Sequence, residues 1–322
     1  MKKLLVILMT LAMIASLFTG CQQQPQQQPQ PPAQEQQSQA AMDYTIKFGT
    51  LPAESAIPII VAKEKGLFEK EGVKVELVPF NAPNDRNVAV QAGTIDAIIA
   101  DVMTSLTFHE AGFNMKITSD INEDFKLLTS PKSGIDTFAK LDKKTVSVVP
   151  NFVLEYIMDE MAKKNSITYE IVSIPSFAAR FEALLADKID GVIFTEPQAG
   201  MLAAKGAKVL ASSKEYGIKA GTLLFNEKVL NDHPEEVKAF YRAYNAAIEY
   251  INTADPSEYS QALIQYGFPE AIKGYLGTGV KYEKAGKVTE ETFASVLEWT
   301  KVKQMVKKDY TFADISNFTF IE

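Results

Sequence analysis

The chain has 322 residues, 46% of them hydrophobic, and a formal charge of −7. That is enough apolar material for a large core in two lobes, and the mild acidity argues against a nucleic-acid partner. One cysteine (Cys21) and two histidines (His109, His233) exclude a disulfide framework and a thiolate or histidine-rich metal site, so neither metal nor cofactor is expected.

In chain order, "MKKLLVILMTLAMIASLFTGC" joins two lysines to an apolar run and a small-residue end at Thr19-Gly20. It resembles a bacterial lipoprotein signal, although Phe18 stands where such signals usually carry leucine. The resemblance implies a signal peptide over 1–20 and lipid attachment at Cys21. The following Gln/Pro tract reads as a tether over 21–42, and at roughly 3 Å per residue it spans up to ~60 Å. Loss of Lys2 and Lys3 with the signal leaves the remainder more acidic still.

"YTIKFGTL" opens the folded part as a strand, and one helix is expected through "IPIIVAKEKGLFEKEG" as far as Gly72. "VKVELVPF" is a strand, "NDRNVAVQAG" a short helix and "TIDAIIA" a buried strand. "MTSLTFHEAG" is helical, with His109 on its surface, and "NMKITSD" and "DFKLLTS" are strands. A second series, "TVSVVP" through "AKVLAS", repeats the strand–helix alternation. From "TLLFNEKVL" onward helices dominate and should pack back on the first unit. The expected architecture is α/β, with two doubly wound lobes, parallel sheets and a ligand cleft between them. Residues 43–130 and 214–322 are expected in lobe 1 and 131–213 in lobe 2.

At the carboxyl edge of such sheets, the loops after the strands form the ligand site. In lobe 1 these loops offer Glu54, Ser55, Phe80, Asn81, Asp101, Met103 and Thr104 as candidate contacts. In lobe 2 they offer Asn151, Phe152, Phe177, Thr195 and Glu196. Several have a second reading. Ser55, Asp101, Asn151, Ser176 and Thr195 are potential helix N-caps. Glu196, at the end of the apolar run "GVIF", is either a ligand group or an acid placed for a helix dipole. The phenylalanines either stack on a ligand ring or belong to the core.

"VAKEKGLFEKEGVKVELVPF", "VQAGTIDAIIADVMTSL", "LLADKIDGVIFTEPQAGMLAAKGAKVL" and "HPEEVKAFYRAYNAAIEYI" stand in series between Tyr44 and Ile251. Together they resemble the type II periplasmic binding proteins, in the branch serving nitrate, sulfonate, riboflavin and thiamine-pyrimidine importers. The resemblance implies a monomeric, hinged binder, lipid-anchored on the outer face of the cytoplasmic membrane. It would capture a small molecule for an ABC permease and its ATPase. The loops hold Glu54, Asp85, Asp101 and Glu196 against Arg86, while Arg180 is expected on the solvated side of its helix. A negative cleft disfavours sulfonate or nitrate and favours a neutral or cationic organic ligand, such as a pyrimidine, flavin or amine. A sensor signalling to a receptor, or an anion binder, are the alternatives. A thiamine-pyrimidine synthase shares the fold but depends on a cysteine-rich motif and histidine chemistry, and no catalytic pairing is visible here.

Overall fold

Two short runs without a polar side chain, residues 97–100 and 191–194, lie in the middle strands of two sheets. Ala97–Asp101 is buried at every position, as is Gly191–Phe194. Continuous apolar runs of this length belong to strands covered on both faces. The structure, a computed structural model, describes residues 43–321. The signal peptide and tether expected over residues 1–42, with Cys21, lie outside the described residues.

The first sheet contains β1 (Thr45–Thr50), β2 (Lys74–Pro79), β3 (Ala97–Asp101), β4 (Met115–Asp120) and, far along the chain, β10 (Gly221–Asn226). Its order is β2-β1-β3-β10-β4. The second holds β5 (Lys126–Thr129), β6 (Lys144–Val148), β7 (Tyr169–Ser173), β8 (Gly191–Phe194) and β9 (Lys208–Ser212), ordered β7-β6-β8-β5-β9. The sheets are mixed, not parallel throughout. β10 runs antiparallel to β3 and β4, and β5 runs antiparallel to β8 and β9. Both exceptions adjoin places where the chain changes sheet.

The first change falls earlier than the sequence suggested. Lys126–Thr129, expected in lobe 1, pairs with β8 in the second sheet, so the crossing lies between Asp120 and Lys126. β4 and β5 are both short strands, and nothing local says which sheet each joins. The chain returns between Ser212 and Gly221.

Helices α1 (Ile57–Glu64), α2 (Leu67–Lys70), α3 (Pro83–Gln91) and α4 (Val102–Glu110) cover the first sheet. The single helix expected through Gly72 is two, because Gly66 adopts φ 63°, a left-handed geometry that ends α1 and that glycine reaches without strain. α5 (Phe138–Leu141), α6 (Val153–Asn165), α7 (Phe177–Leu185) and α8 (Gln198–Ala204) belong to the second lobe.

The tail is α9 (Glu227–Asp232), α10 (Pro234–Ile251), α11 (Ser260–Gln265), α12 (Ile272–Leu276), α13 (Glu290–Val302) and α14 (Phe312–Ile315). It packs mainly on lobe 1, with Phe240 of α10 stacked on Phe48 of β1 at 5.3 Å between ring centroids. Lobe 1 has two apolar clusters and lobe 2 another two. No described helix is long and apolar enough to cross a membrane.

The lobes also touch along α13. Trp299 Nε1 donates to Asp159 Oδ2 of α6 at 2.8 Å, and Lys303 Nζ lies 2.6 Å from Glu155 Oε1 and 3.1 Å from Asp159 Oδ2. Tyr156 of α6 packs edge-on against Trp299, and its hydroxyl lies 2.8 Å from Ser295 Oγ. The tail expected on lobe 1 alone therefore bridges the two lobes.

Candidate functional site

The carboxyl ends of β1, β3, β6 and β8 converge on a partly enclosed cavity. Lobe 1 and the crossing segment contribute Ser55, Arg86, Asp101 and Glu123 to its wall, and lobe 2 contributes Phe152, Phe177, Arg180 and Thr195. Two hydrogen bonds join the walls. Val153 N–H donates to Asp101 Oδ2 at 3.3 Å, and Gln198 Nε2 donates to the Pro52 carbonyl at 3.0 Å.

Asp101 is first a helix cap. Its Oδ1 accepts the Thr104 N–H at 2.7 Å, satisfying an otherwise orphan donor of α4, while Oδ2 takes the cross-lobe bond. Burial pushes its carboxyl upward, against the hydrogen bond of Thr104 and the charge of Arg86. Arg86 is buried too, and its donors are taken up by the Ile99 carbonyl and the Asn87 side chain. This cation and anion act on each other, and each is held by the protein.

Arg180 and Glu123 are different. The Arg180 side chain, expected in solvent, is 1% exposed. Its position in "SFAARFEALL" explains why. Phe177, Arg180, Phe181 and Leu184 recur at i, i+3, i+4 and i+7, so the arginine shares the apolar stripe of α7. Nη1 donates to the Ile174 carbonyl at 2.9 Å, but Nε is buried without an acceptor. The guanidinium lies over the Phe177 and Phe194 rings, at 5.2 and 4.5 Å. Burial lowers its pKa to about 10, so it stays charged near neutrality.

Glu123 is partly exposed as a residue, yet its carboxyl turns inward toward Ser55 and Gly221. Burial pushes that carboxyl well up, and the charges of Glu54 and Asp101 push it further. Among the described residues no cation is paired with it. Sequence reasoning missed Glu123 because it lies in the β4–β5 crossing, outside the strand-to-helix loops.

The remaining acids do not line this cavity. Glu54 and Glu196 border a neighbouring groove with Lys126 and Tyr275, and Asp85 is exposed. Glu196 is fully engaged. Its Oε2 accepts the Gly200 N–H at 2.8 Å within α8, and Oε1 accepts from Lys126. The bond from the Gly200 N–H fits the helix-dipole reading of this acid. Glu54 accepts from the Tyr275 hydroxyl, and its other oxygen, Oε2, is buried without a partner. Burial raises its pKa to about 7, opposed by that hydrogen bond and reinforced by Glu196.

Of the expected contacts, Ser55, Asp101, Phe152, Phe177 and Thr195 line the cavity. Phe80 and Met103 pack in a lobe 1 cluster, and Asn81 and Asn151 are exposed. Thr104 contributes its N–H to the Asp101 cap. Among the expected caps, Asp101 and Ser176 act as such, whereas α6 and α8 begin at Phe152 and Pro197 without a side-chain cap. Ser55 sits inside a short 3-10 turn. The expected surplus of negative charge is absent, because two guanidiniums face two carboxylates. His109 is half-buried, not on the surface as expected, because its ring packs inward and Nδ1 lies 2.9 Å from the Ser105 carbonyl.

Gly221 marks the tightest approach in the wall. A Cβ there would lie 2.0 Å from Glu123 Oε1 and 2.6 Å from Ile121 Cδ1. Gly221→Ala is therefore expected to displace the Glu123 carboxyl and cost about 1–3 kcal/mol. Unfolding midpoints would show the cost, and an unchanged midpoint would mean that the wall yields freely.

Residues 54–259, more than half of the chain, match the NMT1/THI5-like family. A putative ABC transporter periplasmic binding protein of Brachyspira hyodysenteriae is 22% identical over 83% of this chain and 79% of its own. A 4-amino-5-hydroxymethyl-2-methylpyrimidine phosphate synthase of Uromyces fabae is 29% identical over 62% of this chain and 64% of its own, so the match spans less than two thirds of that enzyme. Among solved structures, the alkanesulfonate-binding protein SsuA from Xanthomonas axonopodis pv. citri, bound to MOPS, superposes with a TM-score of 0.75. That match has 19% identity and covers 87% of this chain and all of the other. It establishes a shared two-lobe fold. Because the family match spans more than half of the chain and includes every strand but β1, the chain belongs to the NMT1/THI5-like family.

Proposed function

We propose that the chain is an extracytoplasmic solute-binding protein. It captures a small organic molecule between its lobes and presents it to an ABC permease and ATPase, anchored to the membrane through lipid on Cys21. The observation that carries this reading is the cavity itself, whose wall is shared between lobes built on separate sheets. A ligand touching both walls favours the closed arrangement by its differential affinity for it. Phe125, Phe152, Phe177 and Phe194 give the cavity aromatic sides, which favours a ring-bearing ligand. Solute binding is preferred to synthase chemistry because the binding-protein relative aligns over more of both chains than the synthase does.

Native mass spectrometry of the purified protein, followed by denaturation, tests the reading. A small molecule released in stoichiometric amount is the expected result. Failure to retain or bind any small molecule, with the fold intact, would sink it.

The closing motion has its own reporter, since Trp299 is the only tryptophan and sits where the lobes meet. Lys303→Met strips the cation from Glu155, whose side chain is 4% exposed, and from Asp159. Lys303 itself is partly solvated, so the loss is expected to be about 1–2 kcal/mol, a five- to thirty-fold shift toward open lobes. The ligand-free variant should show red-shifted Trp299 emission. Identical emission in variant and parent would remove α13 from the closing mechanism.

A further inference from the structure

Arg86 has its donors taken up by Ile99 and Asn87, and Asp101 has its oxygens on the Thr104 and Val153 N–H groups, which leaves Arg180 and Glu123 as the cavity's incompletely partnered cation and acid. Arg180 is 1% exposed, with an unpartnered Nε and no ion pair among the described residues. Glu123, in the segment that crosses between the sheets, lines the same cavity beside Ser55, with its carboxyl close to Gly221. Burying a charge without its counter-charge is costly, and a ligand that supplies the counter-charge recovers that cost on binding.

Resting on the solute-binding reading, we propose that the cavity takes an amphoteric ligand, a small aromatic molecule bearing both an oxyanion and a basic nitrogen. The oxyanion seats on the Arg180 guanidinium, whose planar fork suits a carboxylate, sulfonate or phosphate. The protonated nitrogen seats on Glu123, which then holds its charge. A purely anionic ligand leaves Glu123 uncompensated, and a purely cationic one leaves Arg180 so. Because Arg180 belongs to α7 of lobe 2 and Glu123 lies beside Gly221 of lobe 1, an amphoteric ligand also ties the lobes together. Glu54 and Glu196 border the neighbouring groove and do not line this cavity.

The test is a matched series on the full chain, read by calorimetry and Trp299 emission: para-aminomethylbenzoate, para-methylbenzoate and para-methylbenzylamine. The amphoteric member is expected to bind at least ten-fold more tightly than either single-charge member. Arg180→Met should abolish that advantage while leaving the melting temperature of the ligand-free protein unchanged or raised, because it removes an uncompensated charge. Glu123→Gln should weaken the amphoteric and amine probes and spare the benzoate.

Preference for a single-charge probe, or no response to any of the three, overturns the assignment. So does an Arg180→Met variant that melts lower yet binds as well as the parent, which would make the arginine a structural group. The solute-binding reading is judged separately, by the molecule released in native mass spectrometry.

Discussion

Replacing Phe240 by alanine is expected to cost about 3–5 kcal/mol, the range for deleting a fully buried aromatic side chain. The ring is 0% exposed and sits where α10 meets the first sheet. It stacks on Phe48 and Phe68 at 5.3 and 5.2 Å and meets Phe225 edge-on at 5.3 Å. These rings come from β1, α2 and β10, so one residue of the tail ties the start of the folded chain to the last strand of the first sheet. The surrounding backbone belongs to a sheet and cannot collapse into the vacated space, which places the cost toward the upper end. Chemical denaturation of parent and variant measures it. A loss below about 1 kcal/mol would mean that the tail is an appendage and not part of the lobe 1 core.

The second large effect is a dependence of stability on pH. In the folded protein Glu54 titrates near 7, against 4.5 for an ordinary glutamate, chiefly because it is buried. Below about pH 4.5 both folded and unfolded chains carry the proton, and Glu54 adds no penalty. Between pH 4.5 and about 7 the unfolded chain releases a proton that the folded one keeps, so stability falls as pH rises. Above about 7 the penalty is constant, amounting to up to about 3 kcal/mol for a shift of this size.

Glu54→Gln keeps an acceptor for the Tyr275 hydroxyl and removes the ionisation. Its stability relative to the parent should therefore grow from pH 4.5 to 7 and then level off. The adjoining groups are Tyr275, Glu196 and the backbone around Asp124, and none of them is altered. Unfolding curves at intervals across this range decide the matter. Parallel pH profiles for the two proteins would show that Glu54 ionises freely in the fold.

From sequence alone, local periodicity was enough for the kind of most elements and for their order. The unbroken apolar runs at 97–100 and 191–194 became the central strands β3 and β8. The alternation of strand and helix gave two α/β lobes, and four ordered segments carried the family. The carboxyl-edge argument placed Ser55, Asp101, Phe152, Phe177 and Thr195 at one cavity.

Tertiary structure decided which strand joins which sheet, and therefore which charges share a wall. Nothing local sends Lys126–Thr129 to the second sheet, since its partner β8 lies some sixty residues away. That crossing is what delivers Glu123. Arg180 was legible in the stripe of α7 but was read by its charge and not by its helical position. Glu196 and Glu54 were read as cleft acids, while the fold engages them with Lys126 and Tyr275, partners 70 and 221 residues distant. A carboxylate's role depends on what long-range packing sets beside it, and burial without a partner is a property no sequence window contains.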